Sequence, residues 1–378
     1  MAGIYIHIPF CRQKCHYCNF FSVASGKFRE DYIDVLSGEI RSKKDYLGKE
    51  EVKTVYFGGG TPSLLTSVEI NSIDATLREN FNISPEAEIT LEANPDDLSK
   101  EWLASLGSTS INRLSIGVQS FFDEDLHYLN RVHNAKQALT AVEKARDAGY
   151  KNLTIDLIYG IPGLKMEKWK KNLEIFFSLE IPHLSAYALT VEPRTALHHL
   201  IEKKKLAGPD DKKTAAHFRM LQKLTQDQGF VHYEISNFSL PGYYSKHNSL
   251  YWLGGHYLGL GPSAHSYNGH SRQWNVSNLS LYMKGDYTPG RLFETESLNP
   301  AQKYNEYVMT SLRTMWGADL EHIANIFGES RKAYFLREAD KFLRQNLLRR
   351  EGSVFYITEE GKLFADGIAS TLFADEKD

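Results

Sequence analysis

Cys11, Cys15 and Cys18 stand in the run Cys-Arg-Gln-Lys-Cys-His-Tyr-Cys, a C-x3-C-x2-C loop holding every cysteine of the 378-residue chain. Thiolates are soft ligands that suit zinc or iron–sulfur clusters. Structural zinc takes four protein ligands. The chain has no fourth cysteine, and His16 sits awkwardly between two of the three candidate ligands. Three thiolates on a four-iron cluster would leave one iron open to an outside ligand. Zinc and three unligated thiols are the alternatives. An odd number of cysteines in one tight group is no disulfide framework.

Other polar groups recur at regular stations along the chain. Gly58-Gly-Gly-Thr-Pro62 follows a short apolar run, and glycines let backbone approach a ligand closely. Glu92 lies in Leu-Glu-Ala-Asn-Pro95, Gln119 in Ser-Ile-Gly-Val-Gln, Arg131 in Leu-Asn-Arg-Val-His, and Asp156 in Ile-Asp-Leu-Ile-Tyr. Taken singly, each is as readily a helix cap, a turn residue or a surface charge. Their recurrence at the ends of successive strands is what brings them to one face.

The elements that must position them are legible. Ile4–Ile8, Thr54–Phe57, Glu88–Ala93, Arg113–Val118, Thr154–Ile158 and His183–Leu189 read as strands. Amphipathic stretches at Phe28–Leu47, Thr66–Asn80, Ala135–Ala148 and Met166–Leu179 read as helices between them. Such alternation implies right-handed crossovers and a parallel sheet. Six βα units fall short of an eight-unit barrel, so the expectation is an open or partial barrel, with a doubly wound sheet as the rival. The spacing places Glu92, Gln119 and Asp156 at or in strands three to five, and Arg131 in the helical stretch after strand four.

The segment Ile4-Tyr-Ile-His-Ile-Pro-Phe-Cys11 with its C-x3-C-x2-C loop resembles the radical S-adenosylmethionine (SAM) superfamily. Residues 4 to about 270 resemble its coproporphyrinogen-oxidase-like branch. The resemblance implies a partial (β/α)6 barrel and a [4Fe–4S] cluster on Cys11, Cys15 and Cys18, with SAM on the open iron. It implies that Tyr5 and Tyr17 flank the cluster, and that Gly59, Gly60 and Thr61 meet the SAM amino group. Glu92, Gln119, Arg131 and Asp156 would line the SAM site, with Thr190 and His265 also assigned there.

That branch holds oxygen-independent coproporphyrinogen III oxidases and heme chaperones. The oxidases carry a fourth cysteine two residues past the third, where this chain has Phe20, and a longer N-terminal extension. His247-Asn248-Ser-Leu-Tyr251-Trp252 matches the H-N-x-x-Y-W signature of the chaperones. The expected function is therefore heme binding and transfer to an acceptor hemoprotein, with coproporphyrinogen oxidation as the alternative. Imidazole is a common heme ligand, which makes His247 the candidate. Read without the family, the aromatic and histidine-rich stretch is more often packing over a barrel mouth.

Forty-four Lys+Arg against 47 Asp+Glu give a net charge of −3, which offers no global pull toward nucleic acid or anionic membrane. Met1–Phe10 lacks the pattern of a signal peptide, and no apolar run is long enough to span a bilayer. A cytoplasmic protein is expected, peripheral at the inner membrane face if its acceptor is a membrane-associated respiratory hemoprotein, as the family suggests. A homodimer is kept as an alternative. The domain reading is a barrel at 1–235, a His/Tyr-rich heme-signature segment at 236–300, loop-dominated over 237–275, and a mostly helical, winged-helix-like domain at 301–378.

Overall fold

The computed structural model describes residues 2–24 and 26–375. The six expected strands form as β1 (Ala2–Ile8), β2 (Val52–Gly59), β3 (Ile83–Ala93), β4 (Arg113–Gln119), β5 (Leu153–Tyr159) and β6 (His183–Ala188). Helices α1 (Arg29–Ser42), α2 (Ser67–Asn80), α3 (Lys100–Leu106), α4 (Asp123–Leu129), α5 (Ala135–Asp147) and α6 (Met166–Ser178) connect them. Capping fixes several starts. Thr66 with Glu69, and Asn134 with Gln137, form capping boxes that satisfy the first free amides of α2 and α5.

Strand periodicity divides the sheet into two unlike faces. Ile4, Ile6, Val55, Phe57, Leu91, Leu114, Ile116, Ile155 and Leu184 are buried in the core on one face. The other face is polar. In register across the strands run Gly3, Thr54 and Glu88, then Tyr5, Tyr56, Thr90 and Arg113, then Glu92, Ser115, Thr154 and His183. The order β1-β2-β3-β4-β5-β6 never reverses. A doubly wound sheet reverses at its switch point, so the winding is that of a barrel.

The barrel does not close. After α7 (Ala196–Glu202) and α8 (Asp211–Asp227), strand β8 (Asn237–Ser239) adds antiparallel to β6 and β7 (Val231–Glu234) antiparallel to β8. Beyond them come α9 (Lys246–Trp252), β9 (His256–Leu260), β10 (His265–Tyr267), β11 (Ser271–Asn275), α10 (Leu279–Tyr282) and β12 (Phe293–Ser297). The sheet of 12 strands ends with β7 at one edge and β12 at the other. Strand β9 pairs parallel to β1, giving the parallel part a seventh strand.

This corrects the expectation of a loop-dominated stretch at 237–275. Its strands are only three to five residues long, and glycines interrupt them, so periodicity is weak. Gly259 is required there: a Cβ would stand 2.2 Å from the His265 carbonyl oxygen of the neighbouring strand. The buried Glu39 of α1 anchors this arm. Its carboxyl accepts from the Gly261 amide at 2.8 Å, Asn275 Nδ2 at 2.6 Å and the Tyr282 hydroxyl at 2.7 Å.

A second core forms around Tyr304, Val308, Phe335 and Phe355. It is built by α11 (Pro300–Leu312), β13 (Ala318–Asp319), α12 (Leu320–Phe327), α13 (Glu329–Arg344), the hairpin β14 (Leu348–Glu351) and β15 (Val354–Ile357), and α14 (Ala365–Thr371). Three helices followed by a hairpin is the expected winged-helix-like order. Among the described residues no helix is long and apolar enough to cross a membrane.

Candidate functional site

The cysteine loop leaves β1 at the C-terminal end of the parallel strands, where barrel sites are built. Backbone bonds pin it: Cys11 N to Val23 O at 3.1 Å, Val23 N to Pro9 O at 2.8 Å, and His16 N to Leu129 O at 3.1 Å. The His16 ring is turned outward, its Nδ1 lying 3.1 Å from the Tyr128 carbonyl oxygen. All three thiols are half-buried and free of disulfides. Burial pushes the Cys18 thiol up to about 11, helped by the neighbouring Cys15 and Cys11.

The donor set fits a multi-iron cluster. Among the described residues, the only His/Cys/Asp/Glu set with ligand atoms all within 4.8 Å of one another is His198, His199 and Glu202, away from this loop. Thiolates on one zinc sit about 2.3 Å from it, hence within about 4.6 Å of each other. As they stand, the three sulfurs do not all lie within that distance of one another.

Around the loop runs a hydrogen-bonded frame. Arg131 donates from Nη1 to Cys15 Sγ at 3.2 Å, and from Nη2 to Asn94 Oδ1 at 2.7 Å and the Gly117 carbonyl at 2.8 Å. It lies in the turn after α4 rather than within a helix, because Asn130 adopts a left-handed conformation (φ 59°) that ends α4. Asn94 Nδ2 donates in turn to Thr61 Oγ1 at 3.3 Å, and that hydroxyl donates to Cys11 Sγ at 3.5 Å. Tyr17 packs against Cys15 and Arg131, and burial raises its phenol. Gly60 leaves no room for a side chain: a Cβ would fall 2.6 Å from Phe10 O and 2.8 Å from Ile8 O.

Further along the polar face two carboxyls converge. Glu92 accepts from the Tyr56 hydroxyl at 2.8 Å and the Gly59 amide at 3.3 Å, and Asp156 accepts from Ser115 Oγ at 3.2 Å. Burial pushes Glu92 up to about 7; the Tyr56 bond opposes this and the charge of Asp156 adds to it. Asp156 is likewise pushed up to about 6 by burial, opposed by Ser185 and Arg113. Such a face is set to receive a cation. Gln119 ends β4 beside Gly117 and Arg131. Thr190 stands apart: it is exposed, and its hydroxyl donates to the Ala188 carbonyl at 3.4 Å.

His247 lies at the opposite, lower end of the polar face and is 1% exposed. Its Nδ1 is 2.8 Å from Thr54 Oγ1 and its Nε2 is 2.8 Å from the Tyr251 hydroxyl, while Tyr56 stacks on the ring at 5.0 Å. Its backbone amide donates to Glu88 at 3.1 Å. Neither ring nitrogen is open to a metal in this arrangement. His265 is instead exposed on β10, at a cavity of about 1030 Å³ between the sheet mouth and the C-terminal region.

Two contributors escaped the sequence reading. Asn94 connects the two cysteine-facing groups, and its signal was its place directly after β3. Arg113 is buried at the floor of the polar face with Nε and Nη2 unpartnered among the described residues, and nothing in its strand context marks it out.

A cysteine loop on strand one of a singly wound, open parallel sheet is the frame of a radical SAM protein. Residues 5–175 match the family described as the radical SAM superfamily, and residues 298–364 match the HemN C-terminal domain. The solved coproporphyrinogen III oxidase (HemN) of Escherichia coli superposes with a TM-score of 0.84, over 99% of this chain and 90% of its own, at 23% identity. At that identity the likeness speaks for the fold. The heme chaperone HemW of Bacillus subtilis is 33% identical over 382 residues, covering 99% of this chain and 100% of its own. HemW of Escherichia coli is 32% identical over 377 residues, covering 99% and 98%. The chain belongs to the HemW family of radical SAM proteins. Membership of that superfamily carries a [4Fe–4S] cluster and SAM as cofactors.

Proposed function

We propose that this protein is a heme chaperone, binding heme and passing it to an acceptor hemoprotein on a cluster- and SAM-binding scaffold. The observation that carries the reading is the end-to-end relation to curated heme chaperones, at 33% identity and full coverage. Phe20, 64% exposed where the oxidases would place a fourth cysteine, favours it over coproporphyrinogen oxidation. Cys11, Cys15 and Cys18 hold the cluster in this reading. Tyr5, Tyr17, Gly59, Gly60, Thr61, Glu92, Gln119, Arg131 and Asp156 surround SAM, with Thr190 at the rim. The proposed acceptor is a membrane-associated respiratory hemoprotein met at the cytoplasmic face, with a homodimer kept as an alternative form of the chaperone. The functional division proposed is 1–235, 236–300 and 301–378.

Transfer requires that one state hold heme less tightly than another, so some ligand must differ between them. The experiment is anaerobic reconstitution of the full chain, recording iron, sulfide and heme absorbance with and without SAM, then mixing with apo-acceptor. Heme uptake followed by transfer is expected. Failure to bind heme, or to release it with cluster and SAM present, sinks the reading. Protoporphyrinogen formation from coproporphyrinogen with SAM and reductant would return the oxidase to first place.

A further inference from the structure

Helix α7 carries a group of ligands that neither the cysteine loop nor the polar face uses. His198 and Glu202 stand four residues apart, and His199 and Glu202 three apart, so both rings fall beside one carboxylate on one turn of helix. Glu202 Oε2 lies 3.5 Å from His198 Nδ1 and 3.3 Å from His199 Nδ1. The three ligand atoms are all within 4.8 Å of one another. Imidazole and carboxylate meet a zinc ion through bonds of about 2.0–2.2 Å, which at the tetrahedral angle set ligand atoms about 3.3–3.6 Å apart. Two edges of such a tetrahedron already have that length.

Hydrogen bonding accounts for only one of the two rings. His199 Nδ1 is within reach of the carboxylate, whereas His198 Nδ1 is shielded from solvent and has no hydrogen-bond partner among the described residues. A shielded polar atom without a partner costs free energy, and a cation between it and Glu202 would supply one. The donor types select the ion: imidazole with carboxylate suits zinc and its first-row neighbours, whereas calcium and magnesium take oxygen alone. Three protein ligands leave a fourth position to water or an outside donor, the arrangement of an open zinc site.

Although these side chains are apart from the cysteine loop, α7 is bonded to it. The Leu197 amide donates to the His16 carbonyl at 2.8 Å, and His16 lies between Cys15 and Cys18. At seven residues α7 is too short to hold its form alone, so an ion pinning residues 198 to 202 stiffens the support on which the loop rests. We propose that His198, His199 and Glu202 bind one divalent ion of the zinc class, and that this ion braces the cysteine loop through α7.

The test uses the anaerobically reconstituted full chain, so that cluster formation has already engaged the thiolates. Zinc is titrated in competition with a chromophoric chelator, and its surroundings are read at the zinc X-ray absorption edge. One zinc per chain, ligated by nitrogen and oxygen alone, is expected. His199→Ala/Glu202→Gln, both at exposed positions, should bind zinc at least tenfold more weakly while keeping wild-type iron and sulfide. Glu202→Gln alone, which preserves the size of the side chain, should weaken binding as well. Hydrogen exchange at the Leu197 amide should slow with zinc in the wild type and not in the double variant. A wild type that takes up no zinc, a double variant of equal affinity, or a sulfur shell at about 2.3 Å overturns the site. Exchange at Leu197 that is indifferent to zinc overturns the brace.

Discussion

Glu92 and Asp156 are buried carboxyls whose ionisation the fold controls on the polar face proposed above to hold SAM. Their folded values, about 7 and about 6, lie above the ordinary 4.5 and 3.8 because burial disfavours the charge. A raised acid binds more protons folded than unfolded. Its contribution to stability is complete below the unfolded value and is lost as pH rises through the folded one. The cofactor-free protein should therefore lose thermal stability between about pH 4 and pH 7, and Glu92→Gln should flatten that fall in a melting series. A sulfonium-bearing ligand reverses the balance by favouring the charged carboxylates. Calorimetry of SAM binding at pH 6.5 in two buffers of different ionisation heat should show proton release, reduced by more than half in Glu92→Gln. Equal proton release in both proteins would remove Glu92 from the site.

At the scale of elements, the β2–α2 connection is the tightest fit. Gly60→Ala forces a Cβ against two backbone carbonyls that cannot swing aside, unlike the end of a flexible side chain. It should cost about 1–3 kcal/mol, measured by urea unfolding, and lower the iron retained after reconstitution; wild-type iron content would show that the loop yields freely. Elements of this kind were readable because local pattern and fold agree. Strands β1 to β6 each carry an unbroken apolar face, and the cysteine loop, the glycine run and Glu92 sit at strand ends where linear order already implies convergence. Strand β9 was not readable. His-Tyr-Leu-Gly-Leu gains its strand character from lying beside β1 and from β10 pressing on Gly259. The same limit applies to His247. Its sequence neighbours advertise a metal ligand, whereas Thr54 of β2 and Tyr251, brought to either side of the ring by folding, occupy both nitrogens.

For the whole molecule, the arm from β9 to β12 matters because it carries His265 and one wall of the cavity. Glu39 holds that arm to α1 through three bonds, buried and with its carboxyl raised by burial. Glu39→Leu would strand the Gly261 amide, Asn275 and the Tyr282 hydroxyl, costing about 2–5 kcal/mol. Hydrogen exchange should localise the loss to residues 256–297; uniform destabilisation would deny the arm its independence. The pairing of β1 with β9 also puts the assembly on a clock. Strand β1 begins at Ala2 and β9 at His256, so a ribosome adding about 5–20 residues per second makes the second strand on the order of 10–50 s after the first. Through that interval the strand that launches the cysteine loop has a neighbour on one side only. The sheet edge beside the strand that launches the cysteine loop is thus completed only late in synthesis.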